Sequence, residues 1–395
     1  MKRALCICIA LLAAAVVAQA QDAQKLLDTF RRNFAIGSLD VKIQILQDAA
    51  ASKSASAMGP LFMQAVEFVI DNSSLVATDA RFNQLAAIGA EQMGVVGFTQ
   101  GRDVIWKLFQ TTSDSQTLAK AAIALGATGA GDPQTVINLN HYVDGQNASF
   151  ASGKMPDAAV LVACLQALGT IGDASSFSTL FGTMNLGYSD QIAAIAKDSL
   201  LALKGDFKEM LLGVIRDRPI PEKKLALQMA LETDKLTDDQ KGQVATYALD
   251  VGLHLGASDS SGKALLRDIR FQAADSLGAK KVSQATALLI EHMDITIGEF
   301  DKGLSDRNHL LNAIADLGAM ASHEAAVRLT QYLVIVNSYT EKGKAYDDFV
   351  VMALLQNLGA LADKVAFDDL MYTQYLNYTA AVKKAARAAL DKLRW

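Results

Sequence analysis

The chain has 395 residues, a formal net charge of −5, and a hydrophobic content of 51%. This mildly acidic balance argues against nucleic acid and against an anionic membrane surface as partners, because both require a basic face. Only 5 residues are proline, whereas Ala and Leu are abundant, so the composition favours long, uninterrupted helices.

Residues 1–20 have the pattern of a secretory signal peptide. Lys2 and Arg3 precede an apolar run from Ala4 to Val17, and Ala18-Gln19-Ala20 supplies the small residues of a cleavage site. The apolar run is shorter than the roughly 20 residues that a membrane-spanning helix needs. We therefore predict cleavage after Ala20 and a periplasmic or secreted chain with no direct membrane span.

The mature chain reads as a helical repeat. Residues 21–40 are predicted to form an N-terminal cap helix, and residues 41–395 a repeat array that ends in a C-terminal cap helix. Apolar residues recur every three or four positions, as in Leu310, Ile314 and Leu317. The predicted unit starts lie near residues 41, 81, 118, 160, 191, 223, 267, 309, 350 and 382. Periods of about 30–45 residues built from paired helices indicate a solenoid.

A Leu-Gly pair closes many of these helices, as at Leu168-Gly169 and Leu317-Gly318. Glycine after the last apolar residue is typical of a helix C-cap, where a positive φ is needed. We therefore expect Gly169 and Gly318 to occupy left-handed positions, where a side chain would be penalised.

Two segments resemble HEAT repeats. Val382–Leu390 is similar to the second helix of such a repeat, and Leu168–Asp173 to the turn that follows it. The resemblance covers most of residues 41–393. It implies an all-α, right-handed α-solenoid of about nine or ten HEAT-like (armadillo-like) helical hairpins.

The sequence contains no motif that would carry catalysis or hold a cofactor or metal. No two of the five histidines lie three to five residues apart, as a zinc motif would require. The segment Gly256–Ala264 has the wrong spacing for a phosphate-binding loop and lacks a preceding strand. Cys164 lies in an apolar stretch and is expected to be a small buried hydrophobe. We expect a protein that is not an enzyme and needs no cofactor.

The leading hypothesis is an exported scaffold or adaptor that binds protein partners. The alternatives are an enzyme, since some HEAT-like proteins resemble lyases that act on bilin–protein links, and a carrier for a peptide or glycan. The turns opposite the Leu-Gly turns vary in length, and variable turns on one edge of a solenoid often mark the binding face. They are predicted to span residues 144–156, 182–190, 256–263, 298–306 and 337–347. The predicted partner-binding residues in these turns are Phe150, Tyr188, Phe300, Tyr339 and Tyr346.

Overall fold

The computed structural model describes residues 21–76 and 78–393. Every regular element within these ranges is a helix, and no strand is present there, which confirms the all-α prediction. No helix in this part of the chain is long and apolar enough to span a bilayer. The predicted signal peptide lies outside the described residues.

The chain divides into two compact units, and the first runs to Gly205. Its first helix, α1, covers residues 21–36. The other helices of this unit are α2 (Leu39–Ala51), α3 (Gly59–Asp71), the short α4 (Ser73–Val76), α5 (Arg81–Val95), α6 (Arg102–Thr111), α7 (Ser115–Thr128), α8 (Pro133–Ala151), α9 (Ala158–Ile171), α10 (Phe177–Asn185) and α11 (Asp190–Leu201).

The second unit begins at Asp206. Its helices are α12 (Phe207–Asp217), α13 (Ile220–Glu232), α14 (Asp238–His254), α15 (Ser260–Lys280), α16 (Thr286–Asp301), α17 (Arg307–Gly318), α18 (His323–Glu341), α19 (Asp348–Leu361), α20 (Phe367–Thr373) and α21 (Ala380–Leu390).

The helices of each unit alternate between two layers. Layer B contains α2, α5, α7, α9 and α11 in the first unit and α13, α15, α17, α19 and α21 in the second. Layer A contains α1, α3, α6, α8 and α10 in the first unit and α12, α14, α16, α18 and α20 in the second. Within each unit every layer-B helix packs against the next layer-B helix and against a layer-A partner. This stacking of helical hairpins is the arrangement of an α-solenoid. Each predicted unit start lies in a layer-B helix.

The Leu-Gly glycines lie inside layer-B helices, so the prediction that Gly169 and Gly318 are left-handed C-caps is wrong. Neither has a positive φ; the left-handed residue that ends α9 is Gly172, with φ 71°. A Cβ atom added at Gly169 would lie 2.8 Å from the Ser199 Cα atom of the neighbouring helix α11. These glycines therefore let adjacent layer-B helices approach closely.

Each unit opens with the same hairpin, in which a buried lysine caps the preceding helix. The Lys42 ammonium of α2 donates to the Phe34 and Ala35 carbonyl oxygens at the end of α1. The Lys223 ammonium of α13 donates to the Ile215 and Arg216 carbonyl oxygens of α12, at 2.5 and 2.8 Å. Lysine can satisfy the last carbonyls of a helix in this way. Burial lowers the pKa of both lysines.

The two units also correspond residue by residue over their last two hairpins. Helices α8 and α18 have 19 residues each and α9 and α19 have 14 each. Residue pairs at a separation of 190 positions (358 minus 168) occupy equivalent places in the two units. Identical pairs include Tyr142 and Tyr332, Asn147 and Asn337, Gly153 and Gly343, Lys154 and Lys344, Asp157 and Asp347, Leu168 and Leu358, Gly169 and Gly359, Asp173 and Asp363, Phe177 and Phe367, Thr183 and Thr373, and Tyr188 and Tyr378.

This correspondence exposes one strained position. The left-handed residue after α9 is Gly172, whereas its equivalent after α19 is Ala362, with φ 55°. The left-handed conformation costs a residue with a Cβ about 1–2 kcal/mol. We expect Ala362→Gly to raise the free energy of unfolding by up to about 1 kcal/mol, measured by urea denaturation. The control is Ala360→Gly, inside α19, which should destabilise the protein because glycine disfavours helix.

Candidate partner-binding surface

Two of the predicted site residues, Phe150 and Tyr188, pack against each other. Their rings are stacked, with centroids 4.0 Å apart, and Tyr188 is only 8% exposed. The Tyr188 hydroxyl donates a hydrogen bond to the Gln146 carbonyl oxygen at 3.3 Å. The pair therefore holds the α10–α11 turn against α8.

Tyr346 lies in the turn between α18 and α19, where it is held by two other tyrosines. Its hydroxyl and that of Tyr332 are 2.7 Å apart and hydrogen-bonded, and its ring stacks on Tyr339 at a centroid distance of 5.9 Å. Burial raises the pKa of Tyr346. The Lys344 ammonium lies over the Tyr339 ring, 5.8 Å from its centroid. Of the three tyrosines, only Tyr339 is exposed.

The variable turns are shorter than the sequence predicted. Residues 144–151, 298–301 and 337–341 belong to α8, α16 and α18, so most of the variation is in layer-A helix length. Phe300 consequently lies at the end of α16, where it is half-buried. Asn337 shows why α18 continues: it is 1% exposed, and its amide donates to the Thr373 hydroxyl of α20 at 3.1 Å.

A group of exposed apolar side chains lies on the layer-A helix α18 and on α20 with the turn that follows it. We call it the tyrosine face and define it by five exposed residues: Val334, Ile335, Tyr339, Tyr372 and Tyr375. Tyr375 is 77% exposed and Ile335 is 47% exposed. The two helices are joined through the Asn337–Thr373 hydrogen bond and by a bond from the Tyr378 hydroxyl to the Asn337 carbonyl oxygen Oδ1 at 3.0 Å. The face is therefore carried on a firmly connected helix pair.

The fold does not require this surface to be apolar. The equivalent positions of the first unit, on α8 and α10, carry only small or polar residues. In the order of the tyrosine face, 190 positions earlier, they are Asp144, Gly145, Ser149, Gly182 and Asn185. The buried framework is nevertheless the same, since Asn147 donates to the Thr183 hydroxyl at 2.8 Å just as Asn337 does to Thr373. The first unit therefore forms the same helix pair without apolar side chains at these positions.

Charged groups border the tyrosine face. The Glu341 carboxylate hydrogen-bonds the Tyr372 hydroxyl and raises the pKa of Tyr372. Asp368 lies one turn before Tyr372 on α20, and Lys342 lies just beyond Tyr339 at the end of α18. An apolar, aromatic centre with a charged rim is the usual composition of a protein-binding surface.

The second unit also contains a buried carboxyl group in layer B. Asp316 of α17 is 9% exposed and faces Gly278 of α15, and its Oδ2 atom has no hydrogen-bond partner among the described residues. Burial, together with the neighbouring Asp275 carboxylate, raises the pKa of Asp316 to about 8. The described residues contain no group of three or more His, Cys, Asp or Glu side chains placed to hold a metal ion.

Comparison with known proteins adds little to this description. No family model matches the chain, and no curated protein matches it. One solved structure that matches is described as a "Circular tandem repeat protein with novel repeat topology and enhanced subunit contact surfaces". The two chains are 13% identical, 94% of this chain and 91% of that chain are covered, and the TM-score is 0.21. The repeat architecture therefore rests on the helix order and contacts described above.

Proposed function

We propose that this chain is an exported, non-enzymatic scaffold that binds a protein partner through the tyrosine face. The observation that carries the proposal is the difference between the two units at equivalent positions. Exposed Val, Ile and Tyr side chains occupy the second unit where the first has Asp, Gly, Ser and Asn. Contiguous exposed apolar surface on a soluble protein marks an interaction site more often than chance.

Tyrosine suits such a surface for a physical reason. Its ring buries a large area at a small cost in conformational entropy, and its hydroxyl can keep a hydrogen bond at the edge of the interface. Three of the five residues of the tyrosine face are tyrosines; Tyr372 lies on α20 and Tyr375 in the turn that follows it. We expect the partner to present an apolar patch of matching shape, with basic groups opposite Glu341 and Asp368. The predicted edge residues Phe300 and Tyr346 remain part of the proposal as a neighbouring contact area.

The test gives three positions of the tyrosine face the side chains found at the equivalent positions of the first unit. The variant Val334→Asp/Tyr339→Ser/Tyr375→Asn should keep its helical far-UV spectrum. Recovery of cross-linked partners from the exported fraction should fall at least tenfold, because about 2 kcal/mol or more is lost when interface aromatic residues are truncated. Sequencing the recovered protein from its N-terminus checks export, and a start at Gln21 is expected.

Two further variants make the result specific. Val95→Ser/Ile123→Ser removes exposed aliphatic groups from layer B of the first unit and should leave partner recovery unchanged. Phe300→Ala/Tyr346→Ala tests the turn edge of the second unit. If that variant abolishes recovery while the tyrosine-face variant does not, the binding surface is the turn edge and the tyrosine face is excluded.

A further inference from the structure

A second surface, in the first unit, has a different chemistry. A cleft of about 830 Å³ in the second unit is lined by charged groups such as Asp238, Asp250 and Lys280. The first unit contains a cleft of about 570 Å³ between the layer-A helices α6 and α8. Its lining residues are Trp106, Phe109, Gln110, Ile137, Asn138, His141 and Tyr142. No Asp, Glu, Lys or Arg is among them.

The spacing of these residues explains why they converge. Trp106, Phe109 and Gln110 are three and four positions apart on α6, and Asn138, His141 and Tyr142 repeat that spacing on α8. The rings support one another: Trp106 stacks on Phe109 with centroids 5.4 Å apart, and Tyr142 meets Phe109 edge to face at 4.9 Å. Burial raises the pKa of Tyr142 to about 12, so its hydroxyl keeps its proton. The cleft thus has a rigid aromatic floor.

The polar groups of the cleft include the amides of Gln110 and Asn138. Gln134 donates to the Asn138 carbonyl oxygen Oδ1 at 2.9 Å, which orients the Asn138 amide. No hydrogen bond joins Gln110 to Asn138 in the described part of the chain, so both amides retain capacity for a ligand. An amide group offers two donors and an acceptor.

At the equivalent position in the second unit, an ion pair joins the two layer-A helices. The short 3-10 helices before α6 and α16, Thr99–Gly101 and Ser283–Ala285, align at a separation of 184 positions (283 minus 99). Gln110 then corresponds to Asp294, and Asn138 to Arg328, which lies 190 positions later. Arg328 donates to the Asp294 carboxylate through Nε at 2.6 Å and Nη2 at 2.5 Å, joining α16 to α18. Trp106 corresponds to Ile290. The first unit therefore has two amides that do not bond each other and an indole where the second unit has a bridging ion pair and an aliphatic residue.

This lining selects for an uncharged ligand with many hydroxyl groups. A charged ligand would find no countercharge in the cleft, and a wholly apolar one would displace water from the amides without replacing its hydrogen bonds, which costs free energy. A pyranose ring satisfies both demands, because its C–H face packs on an indole while its hydroxyls pair with amide, imidazole and phenol groups. We propose that the α6–α8 cleft binds a neutral oligosaccharide, with one sugar ring against Trp106 and its hydroxyls on Gln110, Asn138 and His141.

The test is calorimetric titration of the full mature chain with cellohexaose, maltohexaose and chitohexaose, and with heparin as the charged saccharide. At least one neutral hexasaccharide should bind with one site per chain. Trp106→Ala should weaken that binding at least tenfold, whereas Trp106→Phe should weaken it less. Binding of heparin alone, or no heat from any neutral hexasaccharide at millimolar concentration, would overturn the proposal.

A second variant places the ion-pair residues of the second unit at the equivalent positions of the first, which should preserve the fold. Gln110→Asp/Asn138→Arg installs the ion pair of the second unit in the first, which should close the cleft and abolish binding while the far-UV spectrum and melting temperature hold. The same double change at exposed positions outside this cleft, Gln84→Asp/Gln116→Arg, should leave the affinity within twofold of the unmodified protein. Unchanged affinity in the Gln110→Asp/Asn138→Arg variant would place any saccharide elsewhere and refute this site. Neither result depends on the protein partner of the tyrosine face.

Discussion

Gly126→Ala is expected to lower the free energy of unfolding by about 2 kcal/mol, and Gly126→Val by more. Gly126 lies in α7, where a Cβ atom would be 2.7 Å from the Ala167 Cα atom and 3.0 Å from the Ala167 Cβ atom of α9. These neighbours belong to or adjoin the backbone and cannot rotate away. Helices α7 and α9 must therefore separate, and the apolar contacts around Leu125 and Leu168 are weakened.

Urea denaturation followed by circular dichroism measures the effect. Gly145→Ala is the control, because Gly145 is a helical residue of α8 and no atom outside the local backbone of that helix lies within 4 Å of the added Cβ position. That change should be neutral or should stabilise the protein by up to about 1 kcal/mol through helix propensity. Comparable losses of stability from both changes would mean that close approach in layer B is not what requires glycine at position 126.

Asp316→Asn should stabilise the protein by about 2–3 kcal/mol near pH 7.5, and the gain should shrink as the pH falls toward 4. Asp316 is buried beside Asp275, and its pKa is raised to about 8, well above the usual value for an aspartate. Between the usual pKa of an aspartate and about 8, Asp316 keeps its proton in the folded state but has released it in the unfolded state. Stability contributed by this group is therefore present at low pH and is lost as the pH rises toward 8. Asparagine is neutral at every pH, and its amide can donate to the Asp275 carboxylate.

Chemical denaturation at pH 5.0, 6.5 and 8.0 checks this pH dependence. The exposed Asp198 lies in the same layer of the first unit, on α11, so Asp198→Asn is the control. Its effect should stay below about 0.5 kcal/mol, as expected for a surface substitution. If Asp316→Asn lowers stability at pH 8.0, the Asp316 carboxylate is instead stabilised in its charged form by groups around it.

The sequence predicted the helices well because their signal is local. Apolar periodicity placed every predicted unit start in a layer-B helix. The role of the Leu-Gly glycines was missed because a glycine near a helix end can serve either as a cap or as a point of close approach. Only the position of the neighbouring helix distinguishes a cap from a point of close approach, as the nearness of Ala167 to Gly126 shows. The second glycine in Gly169-Thr170-Ile171-Gly172 was the available signal that the helix runs on to a later cap.

The candidate surfaces were harder to predict for a different reason. Whether an aromatic residue is exposed depends on contacts from distant positions, such as the ring of Phe150 against Tyr188. The extent of α18 was underestimated because the buried Asn337 reads as a turn residue until its partner Thr373 is known. The separation of 190 positions between Leu168-Gly169 and Leu358-Gly359 is visible in the sequence, and aligning the halves on it would have singled out Tyr372 and Tyr375.

The hairpin order also bears on how the chain acquires its structure. Within each unit, helices contact mainly the next helix or the next but one in sequence, as α7 does α6 and α9. The entropy of closing such short loops is small, and folds dominated by local contacts form quickly. If the proposed export passes the chain N-terminus first through a narrow channel, α1–α7 can therefore fold while α12–α21 are still inside. Little hydrophobic surface stays exposed until a distant segment of the chain emerges, and this short exposure limits aggregation.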